Sequence, residues 1–222
     1  MPMSSNVRAA RTAAVLIGAG VFAAPAVAAA HFLLMEPRNQ IVQDSRGDPQ
    51  KLGPCGGTTA NEGVLSNAVT TVRGGDKLHI KIQETVFHPG HYRVALAVNS
   101  RNELPADPET ATRDTPRGPY SVSAKIDQTA RPPVLADGLF RHTYRLAPGL
   151  VWETDVKIPN VNCDSCTLQV IQWMAEHGYN KDGGYSYHHC ATLKITANPK
   201  LPIDRRWPGQ SRAANPSPRS AG

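Results

Sequence analysis

His31 follows a segment that has the layout of a secretory signal. Arg8 and Arg11 give it a basic start, residues 13–22 are mostly apolar, and Ala28-Ala29-Ala30 forms a small-residue cleavage pattern. A cut after these alanines would leave His31 at a free N-terminus, where its α-amine and Nδ1 can close a six-membered chelate ring on a metal. The α-amine loses its proton near neutrality, with an ordinary pKa of about 7.7–8.0. Nitrogen donors of this kind suit Cu(II) best among the divalent first-row metals, so His31 predicts a copper-binding terminus.

Two further segments carry candidate metal-binding side chains. His88-Pro89-Gly90 precedes a predicted strand, and its Pro-Gly pair predicts a turn that holds His88 at the rim of a sheet. Tyr187 stands three residues before Cys190, so a disulfide at that cysteine would fix the phenol in one place. Taken singly, each has an ordinary explanation: a turn histidine in one case, a core tyrosine beside a disulfide in the other.

The order of these three features along the chain resembles that found in lytic polysaccharide monooxygenases. Pro37, six residues after the histidine, and Arg38 behind it look like the bacterial chitin- and cellulose-active members. The H-x-G turn at His88 and the Y-x-x-C ending at Tyr187 look more like the fungal cellulose-active members. The resemblance implies a monooxygenase-like branch of that superfamily, with an N-terminal histidine brace.

Roles in a copper site follow from this resemblance alone. One copper ion would be held by His31, through amine and Nδ1, and by His88, with Tyr187 as the axial residue and Cys55 paired with Cys190. His177 falls where fungal members place a catalytic residue next to the metal ligands, and Gln172 or Glu176 are the alternatives for that role. An external electron donor would reduce the copper, and a polysaccharide would be cleaved by oxidation at C1 or C4.

The chain also departs from the fungal pattern. Tyr185 occupies the position, two before the axial tyrosine, where those members carry a glutamine that helps position oxygen species. His91, His188 and His189 are expected to be mostly solvated, unless one of them replaces an assigned ligand. Aromatic residues that could stack on sugar rings are few: Tyr120, Tyr179 and Tyr185.

Two other functions therefore stay open beside the enzyme. One is a secreted copper-binding protein for copper acquisition or storage, without oxidase activity. The other is a redox-inert carbohydrate-binding module. No carboxylate pair in motif form indicates a glycoside hydrolase.

The four cysteines, Cys55, Cys163, Cys166 and Cys190, favour two disulfides in an exported chain. Three connectivities are open to them. Cys163-Asp164-Ser165-Cys166 is either a short structural bridge or a thioredoxin-like redox pair. The structural bridge is favoured because the pair precedes a β-rich run, whereas the redox motif opens a helix.

Charge and hydropathy set the expected location and partners. The net charge of +6 comes from the first 30 residues and from the tail after residue 197, and the part between them is neutral. A neutral domain lacks the basic surface that nucleic-acid binding requires. No apolar run after the signal approaches the ~20 residues of a membrane helix. We expect a secreted or periplasmic monomer that does not associate with the membrane once the signal is removed.

Short alternating runs between turn clusters predict the architecture. Leu78-His79-Ile80-Lys81-Ile82 has the period of two that a half-buried strand shows. About eight such runs predict an all-β, antiparallel immunoglobulin or fibronectin-III-like sandwich over residues 31–197, with long surface loops. Residues 99–117 predict a functional loop or an ordered excursion, and the Pro- and Arg-rich residues 198–222 predict a disordered tail. The predicted strands are 68–72, 78–82, 92–98, 121–126, 142–146, 151–158, 167–174 and 191–196.

Overall fold

A computed structural model of the 222-residue chain describes residues 31–210, and the predicted signal segment 1–30 lies outside the described residues. Within that range the structure is all-β, as expected, with one short 3-10 turn at Arg101–Glu103. The strands are β1 His31–Glu36, β2 Val69–Arg73, β3 Lys77–Val86, β4 Gly90–Ala97, β5 Thr110–Arg113, β6 Tyr120–Ala124, β7 Val134–His142, β8 Trp152–Lys157, β9 Cys163–Met174 and β10 Ser186–Thr196.

The strands form a sandwich of a three-stranded and a five-stranded sheet. The smaller sheet has the order β1-β3-β8, the larger has the order β2-β10-β9-β4-β7, and β5 and β6 form a separate hairpin. The larger sheet is mixed, because β2 pairs with β10 in parallel. The other strand pairs are antiparallel, so the predicted antiparallel sandwich is confirmed apart from this one edge. A parallel pair needs a long connection, and here residues 74–185 lie between the two strands.

The core lies between the facing surfaces of the two sheets. Inward positions in β1 and β3 pack against inward positions in β4, β9 and β10, as a period of two requires. The alternation predicted for β3 is present: Leu78, Ile80 and Ile82 are buried, Lys77 and His79 are exposed, and Lys81 is half-buried. Fully buried members of this core include Phe32, Leu34, Tyr92, Leu96, Leu168, Met174, Tyr187 and Leu193.

Several predicted strand bounds change. The predicted strand 142–146 was misplaced, because the strand at this point is β7, which ends at His142. β1, β5 and most of β7 were not predicted. β7 lacks a clean alternation, and Gly138 within it has φ +67°, a backbone region that disfavours other residues.

Residues 99–117 are an ordered excursion. They hold the 3-10 turn and β5, and Arg93 Nη2 donates to the carbonyl oxygen of Ala106 at 2.9 Å. The excursion therefore lies over the outer face of β4.

The first half of the predicted tail is ordered. Trp207 is 4% exposed and belongs to the core, and Asn160 Nδ2 donates to the carbonyl oxygens of Leu201 at 2.9 Å and Pro202 at 3.0 Å. The predicted domain boundary at residue 197 was therefore too early, since one tryptophan and one buried asparagine hold residues 198–210 on the sandwich. Residues 211–222 lie outside the described range.

Both predicted disulfides are present. Cys55 pairs with Cys190, and Cys163 pairs with Cys166. The short bridge lies at the start of β9 rather than before a helix, as a structural bridge would. Across residues 31–210 there is no free cysteine and no helix long and apolar enough to cross a membrane.

Candidate functional site

His31 lies at the end of the sandwich, as the first residue of β1. Its Cα pairs with that of Val86, the last residue of β3. The side chain is 2% exposed, and its Nε2 lies 2.9 Å from Asp48 Oδ2. Arg46 Nη2 approaches the same ring, at 3.4 Å from Nδ1 and 3.5 Å from Nε2. A carboxylate and a guanidinium from one loop therefore flank the predicted N-terminal ligand.

His88 lies at the same end, in the loop that joins β3 to β4. Val86 pairs with His31, so His88 follows only two residues after the point where these strands meet. Its backbone N–H donates to Glu84 Oε1 at 3.1 Å, which ties the loop back onto β3. The Pro-Gly turn predicted from the sequence is the point where the chain turns into β4.

Aromatic and imidazole rings connect the two histidines. The centroid of the His31 ring lies 5.4 Å from that of Tyr187, and the centroids of Tyr187 and His177 are 6.4 Å apart. The ring of His177 then contacts that of His88, with 4.9 Å between centroids. The four residues predicted to share a site thus form one continuous group, although they come from β1, β10 and two loops.

Tyr187 is fully buried at the start of β10. Asn180 Nδ2 donates to its hydroxyl oxygen at 3.4 Å. Burial raises the pKa of Tyr187 to about 12, so the phenol stays protonated through the neutral range. It can therefore offer a neutral oxygen but not a phenolate.

His177 is a buried, neutral imidazole. Its Nδ1 donates to the carbonyl oxygen of Gly178, so the proton lies on Nδ1 and Nε2 carries the lone pair. Nε2 is buried and has no hydrogen-bond partner. Burial, together with the nearby His88, lowers the pKa of His177 to about 4.

Glu84 connects the loop of His88 to two other strands. Its side chain is 4% exposed, and its Oε1 accepts from Gln172 Nε2 at 3.0 Å and from His142 Nε2 at 3.3 Å, besides the His88 amide. A carboxylate so deeply buried is stabilised only because these donors replace water. The contacts give His88 a rigid support from β3, β7 and β9.

The three candidates for the residue beside the predicted metal ligands occupy different positions. His177 contacts the rings of both His88 and Tyr187. Gln172 is buried, donates to Glu84, and pairs with Tyr187 across β9 and β10. Glu176 is exposed and pairs with Arg113 of β5.

The expectation that the remaining histidines are solvated was wrong, because all three are buried. The ring of His91 packs 5.2 Å from that of Trp173, and its Nε2 lies 3.7 Å from Asp137. His188 Nε2 lies 2.8 Å from Asp107 Oδ1. His189 Nδ1 accepts from Asn39, and its Nε2 donates to the carbonyl oxygen of Phe32, both at 2.9 Å. Each has a structural role where it lies.

The three tyrosines considered for sugar stacking lie close together. The rings of Tyr179 and Tyr185 are 5.6 Å apart, and Tyr179 is 63% exposed. Tyr120 forms a backbone bridge with Gly178, the neighbour of His177. An aromatic surface therefore adjoins the loop that supplies His177.

Nitrogen donors dominate this group and suit copper. No set of three or more His, Cys, Asp or Glu side chains within residues 31–210 is arranged to hold a metal ion. A histidine brace needs only two imidazoles and an amine, and the His31 nitrogen becomes an amine only if the chain is cut before it. His31 and His88 lie at the same end of the fold, and the unpartnered Nε2 of His177 belongs to the ring that contacts His88.

Comparison with known proteins supplies no family. No protein-family model matches the chain, and no curated protein matches it.

Sequence reasoning missed three residues that act on this group. Glu84 had a readable signal, since it continues the buried even-numbered positions 78, 80 and 82 of β3, where a carboxylate is unusual. Asp48 and Arg46 had no such signal. They lie in an irregular loop, and nothing in the local sequence indicates that this loop folds back against His31.

Proposed function

We propose that the protein is a secreted, copper-dependent monooxygenase-like protein that cleaves a polysaccharide by oxidation, with electrons from an external donor. The amine and Nδ1 of His31 and the imidazole of His88 would hold one copper ion, and the phenol of Tyr187 would lie beside it. The observation that carries this proposal is the continuous group of rings from His31 through Tyr187 and His177 to His88. These rings connect His31, the predicted N-terminal ligand, to the imidazole of His88 at one end of the sandwich.

Copper, when bound, supplies one-electron chemistry and the activation of dioxygen or hydrogen peroxide. The residues around it determine which protons are present and how far water is excluded. Tyr187 keeps its proton and excludes water from the buried side of the group. His177 presents the lone pair of Nε2, which can accept a hydrogen bond or a proton beside His88.

The exposed Tyr179 and the half-buried Tyr185 support a carbohydrate as the substrate class. Tyr179 and Tyr185 lie next to the loop of His177, and aromatic faces of this kind pack against the apolar faces of sugar rings. A polysaccharide held there would lie beside the copper ligands.

The test uses secreted protein whose N-terminus has been verified as His31 and which has been loaded with copper. Mass spectrometry of the soluble products from chitin, cellulose and related glycans, with a reductant, should detect C1- or C4-oxidised oligosaccharides. The His88→Ala variant, matched for copper and reductant, should give none. Absence of oxidised products from every glycan, with copper bound, would contradict the proposal.

A second candidate function is copper acquisition or storage without oxidation. It is favoured by Tyr185, which takes the place of the oxygen-positioning glutamine and donates its hydroxyl to the carbonyl oxygen of Pro119 at 3.3 Å. That hydroxyl is therefore engaged with the neighbouring loop. Tight copper binding with no product from any glycan would establish this candidate over the first.

A further inference from the structure

We propose that Asp48 is a positioning residue that selects the tautomer of His31, with the proton on Nε2 and the lone pair on Nδ1. This inference rests on the proposed copper function, because Nδ1 is the ring nitrogen that can chelate together with the amine. It assigns a role to a loop that no sequence motif indicated.

The hydrogen-bonding capacity of Asp48 defines the tautomer. An ionised carboxylate only accepts, so Asp48 Oδ2, 2.9 Å from Nε2, requires a proton on that nitrogen and leaves the lone pair on Nδ1. Arg46 Nη2 lies 3.4 Å from Nδ1 and 3.5 Å from Nε2, so its distances do not distinguish the two nitrogens. A guanidinium only donates, and in this tautomer Nδ1 is the nitrogen whose lone pair can accept from it.

The loop is built to keep Asp48 at this place. Its backbone N–H donates to Asp44 Oδ1 at 2.9 Å, and its carbonyl oxygen accepts from the Asp44 N–H at 3.0 Å. Gly47 brings the loop against β1: a Cβ there would lie 2.0 Å from the carbonyl oxygen of Phe32, and its φ is +98°. Only glycine fits this approach, and Phe32 is the residue next to His31.

A carboxylate behind a ligating histidine is a recognised way to fix the ring and make it a better donor. Loss of such a partner typically weakens metal binding by about 10- to 100-fold. Here Asp48 would keep Nδ1 ready for the metal, and Arg46 would have to withdraw from Nδ1 when copper enters. The arrangement therefore predicts both a tautomer in the copper-free protein and a defined loss of affinity without Asp48.

The direct test is a long-range ¹H–¹⁵N spectrum of the copper-free, processed protein labelled with ¹⁵N-histidine. The His31 signals are identified by their absence in His31→Gln. We expect the pattern of an Nε2-protonated ring for His31 in the wild type, and a mixture of tautomers in Asp48→Asn. A wild-type His31 protonated on Nδ1 would overturn the proposal without reference to any variant.

Copper titration gives the second readout, in the same proteins. Asp48→Asn should bind copper about 10- to 100-fold more weakly, and Asp48→Glu should recover part of the loss. The control is Asp155→Asn, which makes the same change in an exposed pair with His79 away from the site and should leave affinity unchanged. Unchanged affinity in a folded Asp48→Asn protein would overturn the positioning role. Failure of the wild type to bind copper would instead overturn the proposed function, and the spectrum would still decide the tautomer.

Discussion

The ring of His177 lies edge-on against the ring of His88, with 4.9 Å between their centroids. The two residues belong to different loops, one after β9 and one after β3. Each loop is tied down separately, His88 by Glu84 and His177 by the hydroxyl of Ser121, which accepts its backbone N–H at 3.1 Å. This contact is where the two loops meet around the proposed site.

His88, and not His91, should be the second copper nitrogen. His88→Ala should weaken copper binding by orders of magnitude, because one of three nitrogen donors is lost. His91→Ala should stay within a few-fold, since its ring packs on Trp173 and faces Asp137. Copper titration of both variants, with melting curves to confirm folding, decides between them. The opposite ranking would place the ligand three residues later.

Glu84→Gln should loosen His88 without removing any ligand. The buried carboxylate accepts from the His88 amide, Gln172 and His142, and an amide in its place loses the charge that strengthens these bonds. We expect a loss of about 1–3 kcal/mol in unfolding free energy and weaker copper binding. Glu153→Gln, an exposed change on β8, is the control for both measurements. Equal copper affinity in wild type and Glu84→Gln would remove the support role of Glu84.

The two disulfides should contribute unequally to stability. Replacing Cys55 and Cys190 by alanine removes a cross-link with a sequence separation of 135 residues. Loop-closure entropy assigns about 5 kcal/mol to a bridge of that length, against about 2 kcal/mol for the short Cys163–Cys166 bridge. Chemical denaturation of the two double variants measures the difference. A larger loss from the short bridge would show that strain or unfolded-state structure dominates.

Stability should fall in mild acid, partly because of His91. Burial lowers the pKa of His91 below its ordinary 6.5, although Asp137 opposes this and Arg93, Arg141 and His142 add to it. Below pH 6.5 the unfolded chain therefore binds a proton that the folded protein does not, and stability decreases as the pH falls towards the folded pKa. His91→Gln should flatten this decline in denaturation curves from pH 7 to 5.

His79 provides a control of opposite sign. A hydrogen bond to Asp155 raises the pKa of this exposed histidine, so any stability it contributes is present below pH 6.5 and is lost as the pH rises through the folded pKa. His79→Gln should leave the acid decline unchanged or make it steeper. A flatter decline in His79→Gln, or an unchanged one in His91→Gln, would contradict this assignment.

The strands that sequence predicted well are those whose side chains alternate. Leu78, Ile80 and Ile82 fall on one face of β3, and burial follows directly from that period. Residues 198–210 were misjudged because Pro and Arg dominate their composition, whereas a single side chain, Trp207, anchors them in the core. A prediction from composition averages over the whole segment, so it does not register a single buried side chain that holds the segment in place.

The predicted site residues come together, but the residues that support them were only partly predictable. His31, His88 and Tyr187 each have a local signal: a cleavage pattern, a turn, and a cysteine three residues on. The pairing of His31 with Asp48 depends on how an irregular loop folds back over β1, and no periodic pattern records that. The hydrogen bonds that fix a ligand's tautomer are tertiary contacts, so they emerge only from the fold.

The most direct measurement of the central claim is a copper titration of two forms that differ only at the N-terminus. One begins at His31, and the other carries one additional alanine before it, which converts the amine into a peptide nitrogen. Intact mass verifies both termini, and melting curves verify that both fold. The His31 form should bind one copper tightly, and the extended form should lose tight binding, because two separated imidazoles lack the chelate. Equal affinity of the two forms would contradict the histidine brace and the function proposed from it.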